Sequence, residues 1–212
     1  MAGKIVVVDY SMGNIHSVRN ALAAIGAECI LSSDPTEIKS ASAIILPGVG
    51  AFPQAVESLR SRGLFELLKE QALSGKAFLG ICLGMQLLFE YGNEHTRTEG
   101  LGLIKGEVVK LSGGIDADGK PLKIPHIGWN ALKLHSDDVI MNGVKDGSYV
   151  YFVHSFRADT ALENIVASTD YGELVPAMVK NPELQVYGAQ FHPEKSHDVG
   201  LRILKNFVAE VK

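Results

Sequence analysis

Ala77-Phe78-Leu79-Gly80-Ile81-Cys82-Leu83-Gly84-Met85-Gln86 passes from an apolar strand into a helical start, with a glycine on each side of one cysteine. Ala77–Ile81 carries no polar side chain, which is how a strand buried on both faces reads. Gly80 and Gly84 permit a sharp turn and close packing, so the side chain at 82 projects from the turn under strain. That placement serves chemistry in two ways. A helix start favours thiolate over thiol. The Leu83 amide also lacks an intrahelical acceptor and is free to donate to an oxyanion. A lone cysteine is usually a small buried hydrophobe. The flanking glycines set Cys82 apart, whereas Cys29 has no such context.

Outward from this turn the strand and helix periods alternate. Lys4–Asp9 is an apolar strand, and the helical stretch from Asn14 puts Ile15, Val18, Leu22 and Ile25 on one face before Gly26 stops it. Glu28–Ser32 and Ala43–Leu46 read as strands. Asp34 and Pro35 read as an N-cap and first helical position, and Pro53–Ser61 and Leu64–Leu73 as helices. Apolar strands alternating with helices imply a parallel sheet covered on both faces.

The second half changes character. Glu107–Leu111, Asn130–Leu134, Tyr149–Val153, Ile165–Ser168, Val175–Val179 and Gln185–Phe191 read as strands. Turn-rich segments such as Gly113-Gly114-Ile115-Asp116 and Asp118-Gly119 separate them, so antiparallel additions are expected. A closing helix from about Asp198 is expected to turn Leu201, Leu204, Val208 and Val211 inward. The expected fold is α/β: a three-layer sandwich with a mainly parallel central sheet, as one domain over residues 1–212.

A chain of 212 residues buries roughly 70% of its unfolded surface on folding, enough for a sizeable core. The net charge of −4 and scattered Lys and Arg offer nothing to phosphate backbones, so nucleic acid and anionic membranes are not expected partners. No apolar run approaches the ~18 residues of a membrane helix. Ile5–Val8, halted by Asp9, is too short for a signal peptide. Two cysteines make no disulfide framework, and a reducing, cytoplasmic setting is expected.

A thiolate nucleophile needs a base and a group to orient that base. Phe191-His192-Pro193-Glu194 supplies both. Pro193 drives His192 to an extended conformation. Extended residues two apart point the same way, so Glu194 is expected to reach the imidazole and hold its tautomer. His16, His95, His135 and His197 read as surface or satisfied core residues. Pro47-Gly48-Val49-Gly50-Ala51-Phe52 follows a strand but lacks the third glycine of a dinucleotide fingerprint and the Gly-Lys-Ser/Thr of a P-loop. Its glycines suit a backbone that approaches a ligand closely, or whose peptide flips. Asp116 and Asp118 lack calcium-loop spacing, and no Cys/His cluster has zinc spacing, so neither cofactor nor metal is expected.

Pro47-Gly-Val-Gly50, Gly80-Ile-Cys-Leu-Gly-Met-Gln86 and Phe191-His-Pro-Glu194, in this order across nearly the whole chain, resemble the class I glutamine amidotransferases. In that family a cysteine attacks the side-chain amide of glutamine, ammonia leaves, and water hydrolyses the thioester. The resemblance implies Cys82 as nucleophile, His192 as acid/base and Glu194 as its orienter. It implies oxyanion donors at Leu83, Val49 and Gly50. Gln86 matches the residue that holds the substrate, and the backbone around His154-Ser155-Phe156 the segment that receives its amino-acid end.

Asp9-Tyr-Ser-Met-Gly-Asn14, Glu99-Gly-Leu-Gly-Leu-Ile104, Pro125-His-Ile-Gly-Trp-Asn130, Tyr151-Phe-Val-His-Ser155 and Lys195 narrow the likeness. They resemble the glutaminase subunits of imidazole glycerol phosphate synthase in histidine biosynthesis. Ser11 departs from the commoner glycine. Those subunits dock on a separate (β/α)8-barrel cyclase, and a chain of 212 residues has no room for a barrel of ~250 as well. The resemblance therefore implies a heterodimer, with Met12, Asn14, Trp129 and Lys195 at the interface. A lone Trp is by default core, but Trp129 within this motif is expected to cover the site from the interface. Alternatives are a glutaminase subunit of another synthase, a stand-alone γ-glutamyl hydrolase, and a non-catalytic interaction subunit, the last disfavoured by the intact Cys-His-Glu set.

Overall fold

Ile5 and Val7 pack into one hydrophobic cluster and Val6 and Val8 into another, and all four are fully buried. That alternation is the period of a strand covered on both sides. The computed structural model describes residues 3–115 and 119–211, so Asp116 and Asp118 lie outside the described residues. The strand is β1 (Ile5–Val8), followed by α1 (Ile15–Ala24), β2 (Cys29–Ser32), α2 (Pro35–Ser40), β3 (Ala43–Gly48), α3 (Phe52–Ser61), α4 (Leu64–Leu73) and β4 (Ala77–Cys82). A single helical turn, α5 (Leu83–Gln86), precedes β5 (Phe89–Gly92), β6 (Thr98–Glu99), β7 (Ile104–Lys110), β8 (His126–Ala131), β9 (Lys133–Leu134) and β10 (Tyr149–His154). The chain ends with β11 (Phe156–Asp159), β12 (Ile165–Asp170), β13 (Leu174–Lys180), β14 (Val186–Ala189) and α6 (His197–Ala209).

The central sheet has the order β2-β1-β3-β4-β14-β13-β12-β9. Its first five strands are parallel, and β13, β12 and β9 add on antiparallel. Ile38 of α2, Val56 and Leu59 of α3, and Leu64 and Leu68 of α4 cover one face. Val18 and Leu22 of α1, with Ile203, Leu204 and Phe207 of α6, cover the other. This is the expected three-layer sandwich. Among the described residues no helix is long and apolar enough to cross a membrane.

Three features depart from expectation. The segment expected as one strand over Asn130–Leu134 is two: β8 starts at His126 and pairs with β10, while β9 joins the central sheet against β12. A small sheet, β11-β7-β5-β6, contains three strands absent from the sequence reading, each too short or too mixed in burial to show a period. The inward face of α6 is Gly200, Ile203, Leu204 and Phe207, with Leu201 and Val208 on its flanks and Val211 past its end. Gly200 sets that rotation, because a Cβ there would lie 1.9 Å from the Pro193 carbonyl oxygen. The helix docks through its glycine.

Candidate active site

β3, β4 and β14 lie side by side and all point their C-terminal ends one way, with Gly48 opposite Cys82 and Ala189 opposite Ile81. The crevice at such strand ends is where open α/β sheets bind ligands. Cys82 closes β4 with φ 54° and ψ −110°, a region that strains any residue with a Cβ. The glycines around it are required by contact. A Cβ at Gly84 would sit 1.8 Å from the Leu46 carbonyl oxygen, and one at Gly80 would sit 2.5 Å from that of Gly84. β4 and α5 therefore pack backbone to backbone, and the strained elbow is held by its surroundings.

The helix after Cys82 is shorter than the sequence reading required. With four residues, α5 has little macrodipole to offer the sulfur. Charge near Cys82 comes instead from His192, on the turn after β14. Leu83 is the first residue of α5, so its N–H has no intrahelical acceptor, as expected.

His192 is extended, with φ −96° and ψ 98°, but Pro193–Lys195 forms a 3₁₀ turn. Glu194 thus reaches the ring through a turn rather than along a strand, because Pro193 is favoured at a first helical position. The imidazole Nδ1 lies 2.7 Å from Glu194 Oε1, and both side chains are almost wholly buried. His192 N–H donates to the Tyr151 carbonyl, and Ser196 Oγ donates to the His192 carbonyl, which pins the loop against β10. With Nδ1 committed to Glu194, Nε2 is buried without a partner and is the atom left to exchange a proton.

Burial alone would lower the His192 pKa. The Cys82 sulfur and the Glu194 carboxylate outweigh it and raise the pKa to about 9. A cationic imidazole beside a sulfur is an arrangement that stabilises thiolates. NMR titration of the ring should find His192 near 9 in the native chain. The midpoint should fall in Cys82→Ala, since two contributions that raise it come from Cys82. An unchanged midpoint would separate the two side chains electrostatically.

A cavity of about 280 Å³ joins these groups. Cys82, His192, Val49, Gly50, Leu83, Gln86, His154, Ser155 and Phe156 all line it, so every residue expected for oxyanion or substrate is brought to one place. Val49 is 44% exposed, and Gly50 has φ +103°, which only glycine adopts freely. Gln86 donates from Nε2 to the Phe156 carbonyl at 3.1 Å and to Gln190 Oε1 at 3.0 Å.

The sequence reading missed Gln190, which is fully buried and whose Nε2 approaches Cys82 Sγ at 3.9 Å. It also missed Glu94, which lines the cavity and accepts from the Phe52 N–H at 2.7 Å. Gln190 sits in the Gln185–Phe191 strand reading, where nothing local distinguished it. Cys29 is half-buried, far from this network, in a groove beside β1 and β2.

Of the residues expected at an interface, Trp129 is 41% exposed and so is not core. Its ring stacks on His197 at 4.9 Å and meets Tyr151 edge-on at 5.8 Å, while Lys195 Nζ lies 5.8 Å from the Tyr151 ring. Met12 packs against Gly50, and the Asn14 side chain accepts from Ser17 Oγ at 2.9 Å near the start of α1.

The family model described as Glutamine amidotransferase class-I matches residues 6–211. The imidazole glycerol phosphate synthase subunit HisH of Bacillus thuringiensis (strain Al Hakam) is 49% identical over 208 residues, 98% of this chain and 95% of that protein. The protein of the same name from Bacillus cereus (strain G9842) is 50% identical over the same shares. PurLQS from Thermotoga maritima superimposes with a TM-score of 0.73 at 20% identity, covering 100% of both chains. A glutamine amidotransferase crystal structure superimposes at 0.72 and 19%, covering 95% of this chain and 98% of that one. With family match, relatives and fold in agreement, the chain belongs to the class I glutamine amidotransferase family.

Proposed function

We propose that Cys82, His192 and Glu194 hydrolyse glutamine to glutamate and ammonia. The observation that carries this reading is a strained, glycine-packed Cys82 in the same cavity as a buried imidazole whose Nδ1 is bound to Glu194. The Cys82 sulfur attacks the side-chain carboxamide carbon, and the Leu83 N–H with an N–H of Val49 or Gly50 receives the charge on oxygen. His192 Nε2 gives its proton to the departing nitrogen, which leaves as ammonia and a thioester remains. Water then attacks the thioester, losing its proton to Nε2, and glutamate departs as the sulfur is restored. Glu194 holds the ring with Nε2 toward the reacting atoms throughout. Gln86 holds the substrate, and the 154–156 backbone receives its amino-acid end.

The relatives carry the name imidazole glycerol phosphate synthase subunit HisH. This chain accordingly serves as the glutaminase half of a cytoplasmic heterodimer and passes its ammonia to a separate (β/α)8-barrel cyclase. The exposed Trp129 and Lys195, joined by Tyr151 to the strand that carries His154, support a docking face beside the cavity. Met12, beside Gly50, and Asn14, at the start of α1, complete the proposed interface.

An electrophilic glutamine analogue tests the site assignment. It should label Cys82 stoichiometrically, be blocked by glutamine, and leave Cys29 free, as peptide mapping would read. Labelling of Cys29, or glutamine-insensitive labelling of Cys82, would overturn it.

A further inference from the structure

His126 is a buried titratable residue that the mechanism above does not use. It is 1% exposed, its ring stacked between Phe152 at 4.8 Å and Tyr171 at 3.9 Å. In the β8–β10 pair it stands directly opposite His154, a residue of the cavity wall. Its Nδ1 lies 3.0 Å from His154 Nε2, and its Nε2 lies 2.8 Å from Asn130 Oδ1.

The direction of these bonds follows from one atom. The Phe156 carbonyl oxygen can only accept, so His154 Nδ1, 2.8 Å away, must carry a proton. Burial pushes the His154 pKa down to about 4, which keeps the ring neutral near pH 7. A neutral ring protonated at Nδ1 is an acceptor at Nε2, so His126 Nδ1 must be the donor there. Asn130 Nδ2 donates to the Asp170 carbonyl at 3.3 Å, so a neutral His126 that accepts at Nε2 and donates at Nδ1 takes the Asn130 amide in the opposite orientation, its NH2 toward the ring and the long bond to Asp170 given up. The Phe156 carbonyl thus receives two donors, His154 Nδ1 and Gln86 Nε2, and it fixes the segment between Ser155 and β11.

We propose that His126 is a positioning residue: by donating from Nδ1 it selects the His154 tautomer that holds the Phe156 carbonyl, and so shapes the backbone at 155–156 on which glutamine binds. This rests on the glutaminase reading above. Without the donor, His154 Nε2 is a buried acceptor with no partner. The alternative tautomer, protonated at Nε2, sets a lone pair of Nδ1 against the Phe156 carbonyl.

The test is glutamine binding by calorimetry to the full chain carrying Cys82→Ala, which stops turnover. His126→Leu added to it should weaken binding about tenfold, the scale of one buried hydrogen bond. His126→Asn, whose amide NH2 can replace the Nδ1 donor, should stay within about twofold. Ring ¹⁵N spectra should show His154 protonated at Nδ1 in the parent and in His126→Asn, and a tautomer mixture in His126→Leu. A parent His154 protonated at Nε2 would overturn the proposal even if His126→Leu failed to fold. So would equal binding by His126→Leu and the parent, or a His126→Asn as weak as His126→Leu. If the Cys82→Ala parent bound no glutamine, the glutaminase reading itself would fall, which a tight parent with an indifferent His126→Leu would not imply.

Discussion

Cys82→Ala is expected to remove glutamine hydrolysis, by roughly 10⁴-fold or more, the scale on which loss of a nucleophile acts in covalent catalysis. The loss should be specific. Alanine keeps a Cβ at φ 54° and so keeps the strain of the elbow, while removing a sulfur whose hydrogen-bond contacts to Val153 O and Gln190 Nε2 are long, at 3.9 Å each. Thermal stability should therefore stay close to that of the parent. In complex with a cognate cyclase, added ammonia should still support product formation at an undiminished rate. A Cys82→Ala chain that still hydrolysed glutamine would remove the thiol from the chemistry. A variant that lost the ammonia-driven reaction as well would give Cys82 a structural role at the docking face.

The second large effect concerns the loop Gly48-Val49-Gly50. Leu83 N–H, the first proposed oxyanion donor, is fixed by the elbow, but the second proposed donor belongs to an exposed backbone flanked by glycines. Gly48 admits no side chain, since a Cβ would meet Tyr10 Oη at 2.6 Å, whereas Gly50 has a conformation open to glycine alone. Such a peptide can offer the cavity either its N–H or its carbonyl. One missing oxyanion donor lowers the rate by ~10²–10³. The free chain is therefore expected to be a poor glutaminase, and cyclase docking with the nucleotide ligand to raise kcat by about that factor. Steady-state hydrolysis by the purified chain, with and without the ligand-bound partner, measures it. Equal kcat values would remove partner gating. Lys195→Ala, at the exposed patch, should lessen the activation while leaving the basal rate of the free chain unchanged.

Much of the site was legible because its parts are local. A cysteine between Gly80 and Gly84 after an apolar strand, and His192-Pro193-Glu194, each declare their geometry within a few residues. What joins them is the parallel register of β3, β4 and β14, and sequence gives that only as a fold class. Gln190 and His126 escaped for the same reason: their partners, Gln86 and His154, lie 104 and 28 residues away. The length of α5 was also beyond local reading. Leu83 and Leu87 stand at the i, i+4 spacing of a helix, but the chain enters β5 at Phe89 and pairs with β7 in the small sheet, which ends the helix after one turn. The rotation of α6 was set by a tertiary contact, Gly200 on Pro193, that no hydrophobic period encodes.

The central claim is covalent: glutamine passes through a thioester on Cys82. Acid quench of the cyclase-bound chain during turnover, followed by peptide mapping by mass spectrometry, tests it most directly. A γ-glutamyl adduct on the peptide containing Cys82, absent from Cys29 and lost from Cys82→Ala, is the predicted result. Glutamine turnover with no adduct on Cys82, or with the adduct elsewhere, would contradict it.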